Sequence, residues 1–189
     1  MKALLLTLAL YVVASGSAAA PPPDAERIIR LAGAQPGERV PFTEERFNEL
    51  LAAPMTFAGY VSMTDDGILL RVVEEPFEET ATIDAEQATL TRDGVVRRVD
   101  LDRRGRGGAY LRTLYALLTG NARALEEQFA LEVEGEREQW RLVLTPTRRA
   151  LQRELARIVV SGSGDVVERI RMERSNGAWQ DMRLERDTR

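Results

Sequence analysis

An apolar stretch with helical periodicity, residues 105–129, separates two runs of short alternating segments, and this order strongly restricts the possible folds. Apolar side chains recur at three- and four-residue steps from Tyr110 to Leu118, which places a broad apolar stripe on one side of a helix. Asn121 stands where it can cap a second, shorter helix. Water does not solvate such a stripe, so both helices have to pack on a sheet built from the flanking segments. The sequence therefore predicts a mainly β fold with helices, of the α+β type.

The segments on either side of this stretch alternate apolar and polar residues, which is typical of strands with one buried face. Asp65-Asp66-Gly67 and Asp93-Gly94 supply turns before the helices, and Gly135-Glu136 supplies one after them. The strands predicted in this way cover residues 56–63, 68–73, 80–83, 88–91, 95–99, 129–134, 140–144, 155–160, 166–172 and 178–184. Such a succession predicts a long antiparallel meander.

Residues 42–53 give conflicting signals. Glu44, Glu45 and Leu50 favour a helix by intrinsic propensity. Pro41 and Pro54 bracket the segment, however, and strands follow it directly. From the residues alone, both a helix and a strand remain open.

The first twenty residues have the composition of an export signal. Lys2 forms a positive n-region, residues 3–14 form an apolar run, and small residues from Ser15 to Ala19 offer a cleavage site. The run is too short to span a bilayer comfortably, and no cysteine is present for a lipid anchor. We therefore expect a cleaved signal peptide at 1–20, a leader with a short Asp24-capped helix at 21–40, and one domain at 41–189 with a helical insertion at 107–128.

The composition argues against an enzyme. The chain has no His and no Cys, and Lys2 is its single lysine. Acid–base work near neutral pH, zinc binding and the common nucleophile–base pairs depend on those residue types. We therefore expect no catalytic residues, no cofactor and no metal. The net charge of −4 also argues against nucleic acid as a partner.

Positive charge is concentrated in one region of this acidic chain. The five arginines there are Arg97, Arg98, Arg103, Arg104 and Arg106. They form either a solvated loop or a docking patch for an acidic partner or for anionic lipid headgroups. Asp65-Asp66 is interpreted as part of a turn and not as a paired-carboxylate site.

Four motifs, in this order, resemble those of the periplasmic outer-membrane lipoprotein carrier family (LolA-like), and within it the divergent LolA-related group. The motifs are Phe57-Ala58-Gly59-Tyr60-Val61, the Pro-containing segment 75–83, the strand pair from Phe129 to Pro146, and the closing meander 151–184. The resemblance implies an incomplete antiparallel β-barrel of about eleven strands with a helical lid (LolA/LppX-like). It also places residues 42–51 in the first strand. One departure is that residues 63–66 lack the Arg that the family places after its second strand.

The resemblance implies a monomeric periplasmic carrier of a Gram-negative bacterium. Such a carrier binds acyl chains of a lipoprotein or lipid-like cargo in a hydrophobic cavity and moves them from an inner-membrane exporter to an outer-membrane acceptor. The predicted cavity walls are Phe57, Val61, Met63, Tyr110, Leu114, Leu118, Trp140, Leu142, Leu144, Ile170 and Met172. Two alternatives stay open: a regulatory or sensor module of RseB type, and an accessory enzyme in lipid or polyene biosynthesis.

Overall fold

Eleven antiparallel strands and four helices make up the described part of the chain in the computed structural model, which describes residues 23–101 and 108–185. The predicted signal peptide lies outside these residues. The strands are β1 Arg39–Phe47, β2 Met55–Met63, β3 Leu69–Glu75, β4 Glu79–Ile83, β5 Gln87–Arg92, β6 Val95–Asp100, β7 Phe129–Glu136, β8 Gln139–Pro146, β9 Leu155–Ser163, β10 Val166–Arg174 and β11 Trp179–Leu184. The helices are α1 Ala25–Ala32, α2 Gly108–Leu118, α3 Ala122–Glu126 and α4 Arg149–Gln152.

All eleven strands belong to one open sheet, in the order β6-β5-β4-β3-β2-β1-β11-β10-β9-β8-β7. Each half of the chain forms its own meander, and the halves join where β1 pairs with β11, for example at Phe42 opposite Leu184. The two ends of the sheet are therefore β6 and β7. Because α2 and α3 connect those two strands in the chain, the helical insertion links one sheet edge to the other. The open antiparallel sheet with helices confirms the predicted fold class at this level.

The ambiguous segment is a strand over most of its length. Val40, Phe42 and Glu44 are buried on one face of β1, while the residues between them are more exposed. This alternation and the pairing with β2 and β11 outweigh helix propensity. The strand ends at Phe47, four residues before the predicted limit, because Asn48 starts a turn in which its side chain accepts a hydrogen bond from the backbone N–H of Leu50.

Both predicted helix caps are present. The Asp24 carboxylate accepts a hydrogen bond from the Arg27 N–H at 2.7 Å, and α1 buries Ile28 and Ile29 completely. The Asn121 side chain accepts from the Ala124 N–H at 3.1 Å and starts α3. Phe129 lies beyond α3 and begins β7. No helix in the described residues is long and apolar enough to cross a membrane.

Strand register divides the sheet into two faces, and we call the face that α2 packs on the inner face. Side chains alternate between faces along each strand. Ala81 and Ile83 of β4, for example, lie on the inner face, while Thr82 lies on the outer face. Gly59 interrupts the inner face of β2, because a Cβ at this position would lie 1.9 Å from the carbonyl oxygen of Val72. The inner face and the helices form one continuous apolar core.

Candidate functional site

The predicted cavity residues of the strands share the inner face. By register they lie there on β2 (Phe57, Val61, Met63), β8 (Trp140, Leu142, Leu144) and β10 (Ile170, Met172). Leu114 and Leu118 are buried from the side of α2. The side chain of Tyr110 lies outside the described residues. The structure thus brings the described members together around one core.

Much of this core is already filled by the protein's own side chains. Trp140, Leu142 and Leu144 have no exposed surface, and α1 and α3 pack close to β7 and β10. A space of only about 10 Å³ remains where Leu114 meets Ile170 and its neighbours. That volume is at the limit for a single water molecule. Beside Leu114, therefore, Ile170 and Met172 are closely packed.

A larger cavity lies beneath α2 over β3–β6 and the adjoining end of β1 and β11. Its volume is about 270 Å³. We call it the inner cavity, and it is lined by Arg46, Arg71, Glu79, Ala81, Leu90, Arg97, Val99, Leu111, Leu114 and Gln180. Of the predicted wall residues, Leu114 alone appears among these ten. The lining of the inner cavity is partly charged, and the role of the other predicted wall residues stays a prediction.

A single row of paired residues forms the floor of the inner cavity. Arg71 is opposite Ala81, Ala81 is opposite Leu90, and Leu90 is opposite Arg97. Two arginines therefore stand at the ends of a row whose middle is apolar. Neighbouring strands are about 4.8 Å apart, so the backbone positions of the two arginines are separated by roughly 14 Å along the sheet.

Glu44 and two arginines form a buried ion-pair network at the side of this cavity. Glu44 and Arg71 are both buried and bonded through one carboxylate oxygen of Glu44, while the other oxygen accepts from Arg46 Nε at 2.6 Å. Arg71 also faces Glu79, with 3.8 Å between the charged atoms, and lies 4.7 Å from the ring centre of Phe42. A buried charge of this kind is tolerated only when its partners are held in place.

Two buried polar atoms of cavity residues have no hydrogen-bond partner among the described residues. They are Nε of Arg71 and Oε1 of Gln180. Buried polar groups of folded proteins are nearly always paired, and each exception calls for an explanation. Both side chains line the inner cavity, but these two atoms themselves have almost no accessible surface.

The five arginines of the predicted docking patch do not all fall on one surface. Arg97 points to the inner face and lines the cavity, whereas its neighbour Arg98 lies on the outer face opposite Thr89. Arg103, Arg104 and Arg106 lie outside the described residues. A docking role for this group stays a prediction.

From the sequence alone, none of Arg46, Arg71, Glu79 and Gln180 is placed in a binding site. The signal was present for Arg71, which shares its parity with the buried Leu69 and Val73 in a predicted strand. A charged residue at an inward position of an apolar strand indicates either a partner or a functional group. The same reasoning applies to Glu44, two residues after Phe42.

The Glu44 network should make stability depend on pH. Burial raises the pKa of the Glu44 carboxyl, but Arg71 and Arg46 more than offset this and hold the pKa below its ordinary value of 4.5. The unfolded chain then protonates at higher pH than the folded chain, so the stabilisation is present above about pH 4.5 and is lost as the pH falls through the folded pKa. Urea unfolding at pH values from about 7 to about 3 should show a steeper acid loss in the wild type than in Glu44→Gln. Equal slopes would contradict a depressed pKa at Glu44.

The open antiparallel sheet with helices on its inner face defines a half-barrel class of fold. The chain belongs to the outer membrane lipoprotein carrier protein LolA-like family, whose profile matches residues 17–186. This confirms the family indicated by the four sequence motifs.

Several solved structures resemble the chain at low sequence identity. A LolA superfamily protein from Nitrosomonas europaea has a TM-score of 0.44 and 10% identity, over 87% of this chain and 94% of that chain. A putative outer membrane lipoprotein-sorting protein domain from Vibrio parahaemolyticus has a TM-score of 0.44 and 9% identity, over 85% and 90%. MucB in complex with MucA from Pseudomonas aeruginosa has a TM-score of 0.42 and 10% identity, over 84% of this chain and 53% of that chain. No curated protein sequence matches the chain.

Proposed function

We propose that the protein is a periplasmic carrier that encloses an acyl chain of its cargo in the inner cavity. The observation that supports this proposal is a cavity of about 270 Å³ between α2 and the sheet, in a chain of the lipoprotein carrier-like family. Ala81, Leu90 and Val99 from the sheet and Leu111 and Leu114 from α2 offer the apolar surface. Burying a chain on such a surface is worth about 0.8 kcal/mol per methylene, so binding needs no bond to be made or broken.

The size of the cavity favours one chain over several. Sites for small molecules occupy about 300–1,000 Å³, and the inner cavity lies just below that range. A cargo with more than one acyl chain needs α2 to move away from the sheet. We propose that α2 acts as this lid. One hydrogen bond that holds α2 in place is donated by the Tyr115 hydroxyl to the carbonyl oxygen of Gly67, at 3.1 Å.

The proposed route of transport follows from the family and from the export signal. In this proposal residues 1–20 direct export and are removed, and the domain at 41–189 receives cargo at the inner membrane and releases it to an acceptor at the outer membrane. Release requires the acceptor to offer a better apolar surface than the inner cavity does. The arginines of the predicted docking patch are candidates for contact with these partners.

Filling the inner cavity should abolish cargo binding while the fold is kept. Ala81 lies in the middle of the cavity floor, so Ala81→Phe places a ring in the space that the chain would occupy. The matched control is Thr82→Phe, which adds the same ring one residue away on the outer face. We expect native mass spectrometry of the exported protein to show a hydrocarbon adduct in the wild type and in Thr82→Phe. In Ala81→Phe the adduct should fall at least about tenfold.

Two outcomes would contradict the carrier proposal. One is a wild-type protein that purifies without a hydrocarbon adduct but in a stable complex with another protein, which would favour a regulatory module. The other is an adduct that persists at full level in Ala81→Phe, because the chain would then bind elsewhere. Urea unfolding of all three proteins distinguishes a filled cavity from a damaged fold.

A further inference from the structure

Among the described residues, the charges around the inner cavity do not cancel. Arg46, Arg71 and Arg97 contribute three positive charges, whereas Glu44 and Glu79 contribute two negative ones. One positive charge is therefore left over in a space that is roofed by Leu111 and Leu114. A guest that carries one negative charge would balance this surplus.

Arg97 provides the surplus charge. It is exposed on β6 at the end of the cavity floor, and no ion pair joins it to any described residue. The guanidinium of Arg71, at the other end of the same row, bonds to Glu44 but keeps its Nε–H unpaired and buried. Because that nitrogen has almost no accessible surface, Arg97 is the arginine of this row whose charge a guest can reach.

We propose that the inner cavity selects a cargo with one carboxylate, held by Arg97, with its acyl chain beneath α2. This rests on the proposed carrier function and names the chemical class of the cargo. A carboxylate carries the one negative charge that the cavity lacks, and its planar oxygens match the geometry of a guanidinium. A phosphate monoester carries about −1.5 to −2 at neutral pH and would leave excess negative charge beside Glu79.

The Gln180 amide adds a polar group to the cavity lining on the side away from Arg97. Its Oε1 is buried and has no partner among the described residues. It lies on β11 opposite Arg46 of β1, so it faces the cavity from the side of the Glu44 network.

The test compares three probes with the same chain length: dodecanoate, dodecanol and dodecyl phosphate. Calorimetric titration of the mature protein at neutral pH should give a dissociation constant for dodecanoate at least about tenfold lower than for dodecanol. Dodecyl phosphate should bind more weakly than dodecanoate. In Arg97→Gln the preference for dodecanoate over dodecanol should disappear.

Arg98→Gln is the matched control, because it removes the same charge one residue away on the outer face. It should keep the full preference for dodecanoate. An equal loss in both variants, equal binding of dodecanoate and dodecanol by the wild type, or tighter binding of dodecyl phosphate would each overturn the proposal. If the wild type binds dodecanoate and dodecanol equally and Ala81→Phe binds neither, the carboxylate proposal is wrong but the carrier function is still supported. Binding of no probe at all would count against both.

Discussion

Replacing Glu44 with glutamine should lower the free energy of unfolding by about 3–5 kcal/mol, the usual cost of breaking a buried ion pair from one side. Glu44 is 1% exposed and holds Arg71 and Arg46, one on each carboxylate oxygen. Glutamine keeps the shape but loses the charge, so the buried guanidinium of Arg71 is left with Glu79, whose nearest charged atom is 3.8 Å away. Urea unfolding at neutral pH measures the effect.

The chain contains a close surface counterpart as a control. Asp165 also pairs with two arginines, Arg27 and Arg137, but all three side chains are more than two-fifths exposed. Exposed pairs contribute at most about 1 kcal/mol, so Asp165→Asn should change stability little. If Glu44→Gln costs no more than Asp165→Asn, the network is not buried in solution.

A double variant separates charge from packing. Replacing Glu44 with leucine and Arg71 with methionine removes both buried charges and keeps most of the volume. Because apolar replacements of a buried pair are often neutral or stabilising, this protein should recover most of the stability lost in Glu44→Gln. If it is instead less stable than Glu44→Gln, the network contributes through its geometry and not only through charge compensation.

The strands and their inward residues could be predicted because both depend on local alternation. Trp140, Leu142 and Leu144 occupy every second position of β8, and the register places all three on one face. The Asp93-Gly94 turn was also predictable, since both residues adopt positive φ there, 51° and 75°. Each of these features depends only on residues that are close together in the sequence.

Glycine gave a misleading signal at the β7–β8 hairpin. The sequence places the turn at Gly135-Glu136, but β7 continues to Glu136 and the turn falls at Arg137-Glu138. Gly135 has a φ of 93° inside the strand, and a Cβ there would lie 2.3 Å from the carbonyl oxygen of Gln139. A glycine can therefore serve a close backbone approach within a strand as well as a turn, and the two uses look alike in sequence.

The location of empty space could not be predicted, because it depends on where the helices lie over the sheet. Ile170 and Ala81 both occupy inward positions, yet the first is covered by Leu114 and its neighbours while the second borders the inner cavity. The distinction comes from contacts between residues far apart in the chain. The small helix α4, after Pro146, likewise has no clear periodic signal over its four residues.

The two tryptophans of the chain lie on opposite faces of the sheet, and replacing each of them tests how tightly the inner face is packed at β8. Trp140 is fully buried on β8, and its indole N–H donates to the carbonyl oxygen of Gly164 at 3.0 Å. Trp140→Ala should lower the free energy of unfolding by about 3–5 kcal/mol, as large-to-small changes in packed cores do. Trp179 lies on the outer face beside Phe47, 6.1 Å between ring centres, so Trp179→Ala should cost clearly less.

The Trp140→Ala variant also tests whether Trp140 contributes to the affinity for the cargo. If β8 is core and the guest lies over β3–β6, Trp140→Ala should bind dodecanol with a dissociation constant within about twofold of the wild type under conditions where the variant stays folded. A packed wall supports the fold without touching the cargo, because a guest cannot enter a space that side chains already fill. A stable Trp140→Ala protein with tenfold weaker binding would instead show that the cavity reaches β8 and that the helices withdraw from it when cargo binds.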